Sequence, residues 1–140
     1  MIEVYLNLNG NAKEAAAYYA QAFEAEAPSI MYYSQMPRDE NTNMPKGSEN
    51  LVMHAAVTTF AGVLMMADNE PGAVITPNQS VVLTLSHEDP VRLRRLFSTL
   101  EKDGEVLMPL EKTFFSPLYG QVKDKYGFYW NIMSWQEPQK

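Results

Sequence analysis

The sequence runs to 140 residues, 46% hydrophobic and 20% charged, a globular composition with enough apolar surface for one continuous core spanning 1–140. A formal net charge of -6 and a pI near 4.9 repel phosphate backbones and anionic lipid, so neither nucleic acid nor membrane is an expected partner. Zero cysteines exclude a disulfide framework, a thiolate metal site and a cysteine nucleophile; with acidic Glu3 and polar Asn7 and Asn9 near the start, the cytoplasm is the expected location.

Val4, Leu6 and Leu8 alternate with Tyr5, Asn7 and Asn9, the period of two of a half-buried strand, which Asn9-Gly10-Asn11 interrupts. Asn11 and Glu14 then stand in capping-box spacing, and Ala15, Tyr18, Tyr19, Ala22 and Phe23 recur on one helical face that Pro28 closes. A short strand is predicted over 30–33, followed by a loop by composition over 37–50, a length that is often functional in a compact domain. Strands over 51–60 and 62–68 are joined at Ala61-Gly62 by a tight hairpin.

Asn69-Glu70-Pro71-Gly72 and Thr76-Pro77-Asn78-Gln79 are turn clusters and mark the internal boundary. The order then starts again. A strand is predicted over 81–85, and Asp89 caps a helix with Pro90 at its first position. Leu93, Leu96, Phe97 and Leu100 share one face of that helix until Asp103-Gly104 ends it, and three strands follow over 106–109, 119–123 and 128–135. The reading is an α+β fold of two βαβββ modules, 1–69 and 80–135, in which architecture repeats rather than sequence.

Several segments carry a family resemblance. Asn9-Gly10-Asn11-Ala12-Lys13-Glu14-Ala15 with Tyr18-Tyr19, then Met53-His54-Ala55, then Met65-Met66-Ala67-Asp68 occur in that order. A C-terminal block follows, with Met108-Pro109-Leu110-Glu111-Lys112-Thr113-Phe114-Phe115, Tyr119-Gly120-Gln121-Val122 and Asp124-Lys125-Tyr126-Gly127-Phe128-Tyr129-Trp130. Together they resemble the PhnB-like branch of the glyoxalase/bleomycin-resistance/dioxygenase (vicinal oxygen chelate) superfamily. That branch is sometimes labelled a 3-demethylubiquinone-9 3-methyltransferase domain. The label fits the residues badly, because S-adenosylmethionine is usually held by a glycine-rich turn after the first strand of a parallel sheet, and here Gly10 stands alone between asparagines.

The resemblance implies, in metal-using members, His and Glu ligands from the first and last strands of each module around one divalent ion. Matching places Val4 at the first ligand position, Asp68 near the second, Val81 or Val82 at the third and Asn131 at the fourth. Aliphatic and amide groups cannot replace charged ligands, so the usual ligand set is expected to be missing. Any divalent metal would fall to His54 and Asp68.

Alternation places His54 with Ala56 and Thr58 on one strand face, and Leu64, Met66 and Asp68 on one face of the next strand. If those faces coincide, His54 and Asp68 form an imidazole–carboxylate pair able to act as a general base or a weak metal site. The alternative is a buried histidine satisfied by a backbone carbonyl. A second constellation, Glu111 with Lys112, Thr113, Phe114, Phe115, Tyr119 and Trp130, mixes aromatic walls with polar groups as small-molecule pockets do, although aromatic residues in strands are often core. His87 beside Glu88 and Asp89 reads as surface, Arg92, Arg94 and Arg95 as a solvated helix face, and Asp124 with Gly127 as a hairpin turn. The methionines, Met31, Met36, Met44, Met53, Met65 and Met66, suit either an irregular core or an adaptable surface.

The expected function is small-molecule binding with catalysis undecided. His54, Asp68 and Glu111 are the candidate catalytic groups, and Met53, Met66, Phe114, Phe115, Tyr119, Trp130 and Asn131 the ligand-binding ones. Two alternatives stand beside it: a metal-assisted enzyme on a small oxygenated substrate, and a non-catalytic homodimer that sequesters a drug or metabolite. The resemblance also implies a homodimer.

Overall fold

The computed structural model describes residues 1–36 and 47–135, so most of the predicted loop, Met44 included, lies outside the described residues. The chain divides into two compact units, Met1–Ile75 and Thr76–Lys140. In the first, β1 (Val4–Leu8), α1 (Ala12–Ala22), β2 (Ser29–Tyr32), β3 (Val52–Thr59) and β4 (Gly62–Asp68) give a four-stranded sheet in the order β1-β4-β3-β2. In the second, β5 (Leu83–His87), α2 (Pro90–Lys102), β6 (Glu105–Glu111), β7 (Tyr119–Lys123) and β8 (Tyr129–Ser134) give the same plan in the order β5-β8-β7-β6. β1 runs parallel to β4 and β5 to β8, with the remaining pairs antiparallel. Each unit is therefore one βαβββ module, and the α+β expectation holds.

Cross-strand partners share a face, so the pairing register says which side chains lie under the helix. In the first sheet Leu6 pairs with Met66, Leu8 with Asp68, Ala55 with Met66 and Val57 with Leu64, and all of these are buried. α1 packs on β3 and β4 with Ala12, Ala15, Ala16 and Tyr19 inward. With Ala20 and Ala22 also buried, five alanines let the helix axis come close to the sheet. In the second sheet Trp130 pairs with Leu83 and Val122, and Ile132 with Leu85 and Gly120, beneath buried Leu93, Leu96, Phe97 and Leu100 of α2. Each fully buried leucine contributes about 1.5–3 kcal/mol relative to exposure. A Cβ on Gly120 would stand 2.9 Å from the Phe97 ring and 3.0 Å from Leu110, so glycine is what lets α2 settle there.

Some boundaries differ from the sequence expectation, each for a local reason. α1 ends at Ala22 rather than near Pro28, with Phe23 as its cap and Glu24 in the left-handed region at φ 53. β5 begins at Leu83 because the chain up to Ser80 is folded into a turn by the Asn78 side chain, leaving Val81 exposed. β6 extends to Glu111 through Pro109; as the last strand of its sheet it can accommodate a residue without an N–H. The first unit also reaches past residue 69, since the Asn9 amide donates to the Ile75 carbonyl at 2.7 Å and accepts from the Ile75 N–H at 2.8 Å. Among the described residues no helix is long and apolar enough to cross a membrane.

Candidate functional site

The proposed His54–Asp68 pair does not form, because the two residues point to opposite faces of the first sheet. Asp68 ends β4 on the α1 side, and its carboxylate is 5% exposed. One oxygen accepts from the Ala12 N–H at the start of α1 and the other from the Val52 N–H at the start of β3, both at 2.9 Å. It is a structural clasp. His54 lies on the far face, where its partner in β2 is Met31 and its ring meets that of Tyr5 at 6.0 Å between centroids. Nor is His54 a core histidine tied to a carbonyl. It is half-buried, and among the described residues that ring contact is its sole side-chain interaction.

The open face of the first sheet can be read row by row from the register. One row runs Asn7, Ala67, then His54 and Met31; the next runs Tyr5, Met65, Ala56 and Ser29. Two alanines thus make a low floor between larger neighbours. Tyr5, Met31 and Val63 are 46%, 48% and 47% exposed, an apolar rim with no helix over it. The β2–β3 ladder steps from Met31–His54 to Tyr32–Val52, so Met53 has no partner in β2 and stays half-buried. Met66, expected in the pocket, is fully buried under α1 and belongs to the core.

The second sheet sorts the other candidates. Trp130 is core: it is 3% exposed on the α2 side, and its Nε1–H donates to Asp124 at 2.9 Å. Asp124 also accepts from the N–H groups of Tyr126 and Phe128, so the predicted turn exists and is held by a buried carboxylate. Glu111 stands exposed opposite Tyr119 on the edge strand, which resolves its place by solvation. Phe115 packs edge-on between Phe114 and Tyr119, with centroids at 5.1 and 4.9 Å, and Phe114 is fully exposed. On this open face Asn131 donates to Thr84 at 3.3 Å while its own Oδ1 is buried with no partner, and Gln121 donates to the Tyr119 hydroxyl at 2.9 Å. His87, read as plain surface, is half-buried and its Nδ1 accepts from the Asp89 N–H at 3.1 Å.

A separate open cleft of about 350 Å³ lies where α2 meets β6 and the β7–β8 turn, lined by Asp103, Glu105, Lys123, Lys125 and Tyr126 among others. Its charges are mixed in sign, and the ammonium groups of Lys123 and Lys125 sit over the rings of Tyr129 and Tyr126. No single ligand chemistry is selected there.

The described residues do not fit a divalent metal. Among the described residues no three His, Asp or Glu side chains converge, and the one carboxylate near a presumed ligand position, Asp68, is spent on two backbone amides. The positions matched to ligands also shift once the strands are placed. Val4 pairs with Leu64 on the α1 side, Val81 and Val82 precede β5, and only Asn131 lies on an open face.

The 3-demethylubiquinone-9 3-methyltransferase family model matches residues 1–133. The chain belongs to this family. Protein YjdN of Escherichia coli is 29% identical over 134 residues, covering 91% of this chain and 90% of that protein. Among solved structures, protein PA1353 from Pseudomonas aeruginosa is 27% identical with a TM-score of 0.82, covering 98% of both chains. The putative 3-demethylubiquinone-9 3-methyltransferase, PhnB protein, from Bacillus cereus is 28% identical with a TM-score of 0.68, covering 96% of this chain and 98% of that one. More distant glyoxalase/bleomycin-resistance structures, 12% and 10% identical, share the fold.

Sequence reasoning did not place Tyr5, Asn7 or Ala67 on this face, and it gave Met31 and Met65 only as part of an irregular core or an adaptable surface. The signal was present: the alternation that sent Val4, Leu6 and Leu8 inward left Tyr5 and Asn7 on the other face. What was lacking was the parallel β1–β4 pairing, which sets those residues beside Met65 and Ala67.

Proposed function

We propose that this family member binds a small molecule on the open face of its first sheet, without a metal and without methyl transfer. The observation that carries this reading is an exposed apolar rim around an alanine floor, with a half-buried imidazole that makes no hydrogen bond among the described residues. Apolar walls with few convergent polar groups are how proteins hold small ligands. S-adenosylmethionine does not suit the fold: the turn after β1 has the single glycine Gly10, and the first amide of α1, where an anionic group would dock, is taken by Asp68.

The test uses the neutral fluorophore N-phenyl-1-naphthylamine with the wild type and Met65→Asp, which plants a charge at the centre of the face. Saturable micromolar binding, weakened at least about tenfold by the substitution, is expected from the cost of burying an unpaired carboxylate. Equal binding by both proteins would reject this face, and saturable heat on titrating S-adenosylmethionine would restore methyl transfer. The chain is also proposed to form a homodimer, since each sheet ends in open edge strands that gain from pairing. A monomer mass by light scattering, unchanged on tenfold concentration, would refute that.

A further inference from the structure

Resting on the proposed binding face, we infer that its ligand is an aromatic acid: a flat ring carrying an anionic oxygen group, with the anion held between His54 and Asn7 and the ring on Tyr5 and Met65. Four observations lead there. Asn7 pairs with Ala67 on β4, and continuing the β3–β4 register one step past the Ala55–Met66 pair brings His54 to the other side of Ala67. Two strand spacings separate them, roughly 9.6 Å between backbones, leaving room above the alanine for one small headgroup within reach of both side chains. Neither side chain has a hydrogen bond among the described residues, although each can donate. The adjoining row offers what a ring needs, an aromatic face at Tyr5 and the thioether of Met65, with Met31 beside His54.

The charge on the face favours an anion over a cation. Among the described residues the face presents no carboxylate within its strands: β2 and β4 bring no titratable group to it, β1 brings Tyr5, and Glu3 lies just before β1. His54 and Asn7 both offer N–H donors to that row while no carboxylate of the strands faces them, so an oxygen anion gains hydrogen bonds there and a cation gains none. A neutral ligand of the same shape should not gain them. The chain's overall negative charge acts on every anion alike and is screened by salt, so it lowers the encounter rate without erasing the local preference.

The experiment compares two fluorophores of one ring system, anionic 8-anilino-1-naphthalenesulfonate and neutral N-phenyl-1-naphthylamine, on the full chain. Thermal unfolding of each variant establishes that it is folded. The wild type should bind the sulfonate about fivefold to tenfold more tightly than the neutral dye. In His54→Phe, which keeps a ring and removes the donors, and in Asn7→Ala, that preference should shrink. Binding of both fluorophores with no preference, or a preference that neither substitution changes, would overturn the aromatic acid while leaving the binding face intact. Binding of neither would overturn the face itself.

Discussion

The two modules solve one problem, satisfying the first amides of a helix beside a sheet, in two different ways. α2 is capped from within its own sequence, Asp89 accepting from the N–H groups of Val91 at 3.0 Å and Arg92 at 3.4 Å. α1 is capped from 56 residues away: Asn11 makes no capping bond, and Asp68 on the neighbouring strand takes the Ala12 amide instead. The register makes the comparison close, because Asp68 opposite Leu8 in the first sheet occupies the place of Ser134 opposite His87 in the second. In the second module a different hydroxyl closes that corner. Ser116, before β7, shares its one proton between the carbonyls of Ser134 at 2.7 Å and Leu118 at 2.8 Å. A carboxylate thus joins helix, β3 and β4 in one module, while the other divides the same work between a local cap and a serine.

The largest expected effect is at the shared clasp. Asp68→Ala leaves the amides of Ala12 and Val52 buried without acceptors, each costing about 1–3 kcal/mol, so the loss should be about 2–6 kcal/mol in urea unfolding. Asp68→Asn keeps one acceptor and should lose less. A loss below about 1 kcal/mol for the alanine variant would mean that both amides find other partners and that the asymmetry is decorative.

Ser116→Ala should cost less, about 1–2 kcal/mol, since it removes one donated hydrogen bond and one accepted from the Leu118 N–H, without a charge. Should it equal Asp68→Ala, the division of labour drawn above would be wrong.

This contrast also says what the sequence could reveal. Much that was built on local order was legible: both helices, the β3–β4 hairpin, the Asp89 cap, the Asp124 turn and the repeat of the βαβββ plan, although the Asn11–Glu14 capping box did not form. Residues whose role depends on distant partners were misread. Asp68 follows three apolar residues and looks like a site carboxylate until β1 and α1 are placed against it. Trp130 and Met66 carry chemistry suited to a pocket, and only the helix covering their side of the sheet turns them into core. Alternation set His54 on its strand face, but its neighbours, Tyr5 and Met31, come from strands 49 and 23 positions away.

The smallest effect separates a capping residue by sequence from one by structure. Asn11 and Asp89 hold the same formal position, and both belong to the residue types preferred there. Propensity alone therefore expects similar losses on replacement by alanine, about 1 kcal/mol each. The geometry expects otherwise. Asp89→Ala should lose about 1 kcal/mol, because two first-turn amides of α2 lose their acceptor and a negative charge leaves the positive end of the helix. Asn11→Ala should lose only a few tenths, because its side chain accepts a single long bond, 3.3 Å from the Asn9 N–H, at an exposed site. The double variant Asn11→Ala with Asp68→Ala sharpens the point: if Asn11 cannot reach the helix even when Asp68 is absent, the two losses add. A combined loss well beyond the sum would show Asn11 acting as a reserve cap that takes over when the distant carboxylate is removed.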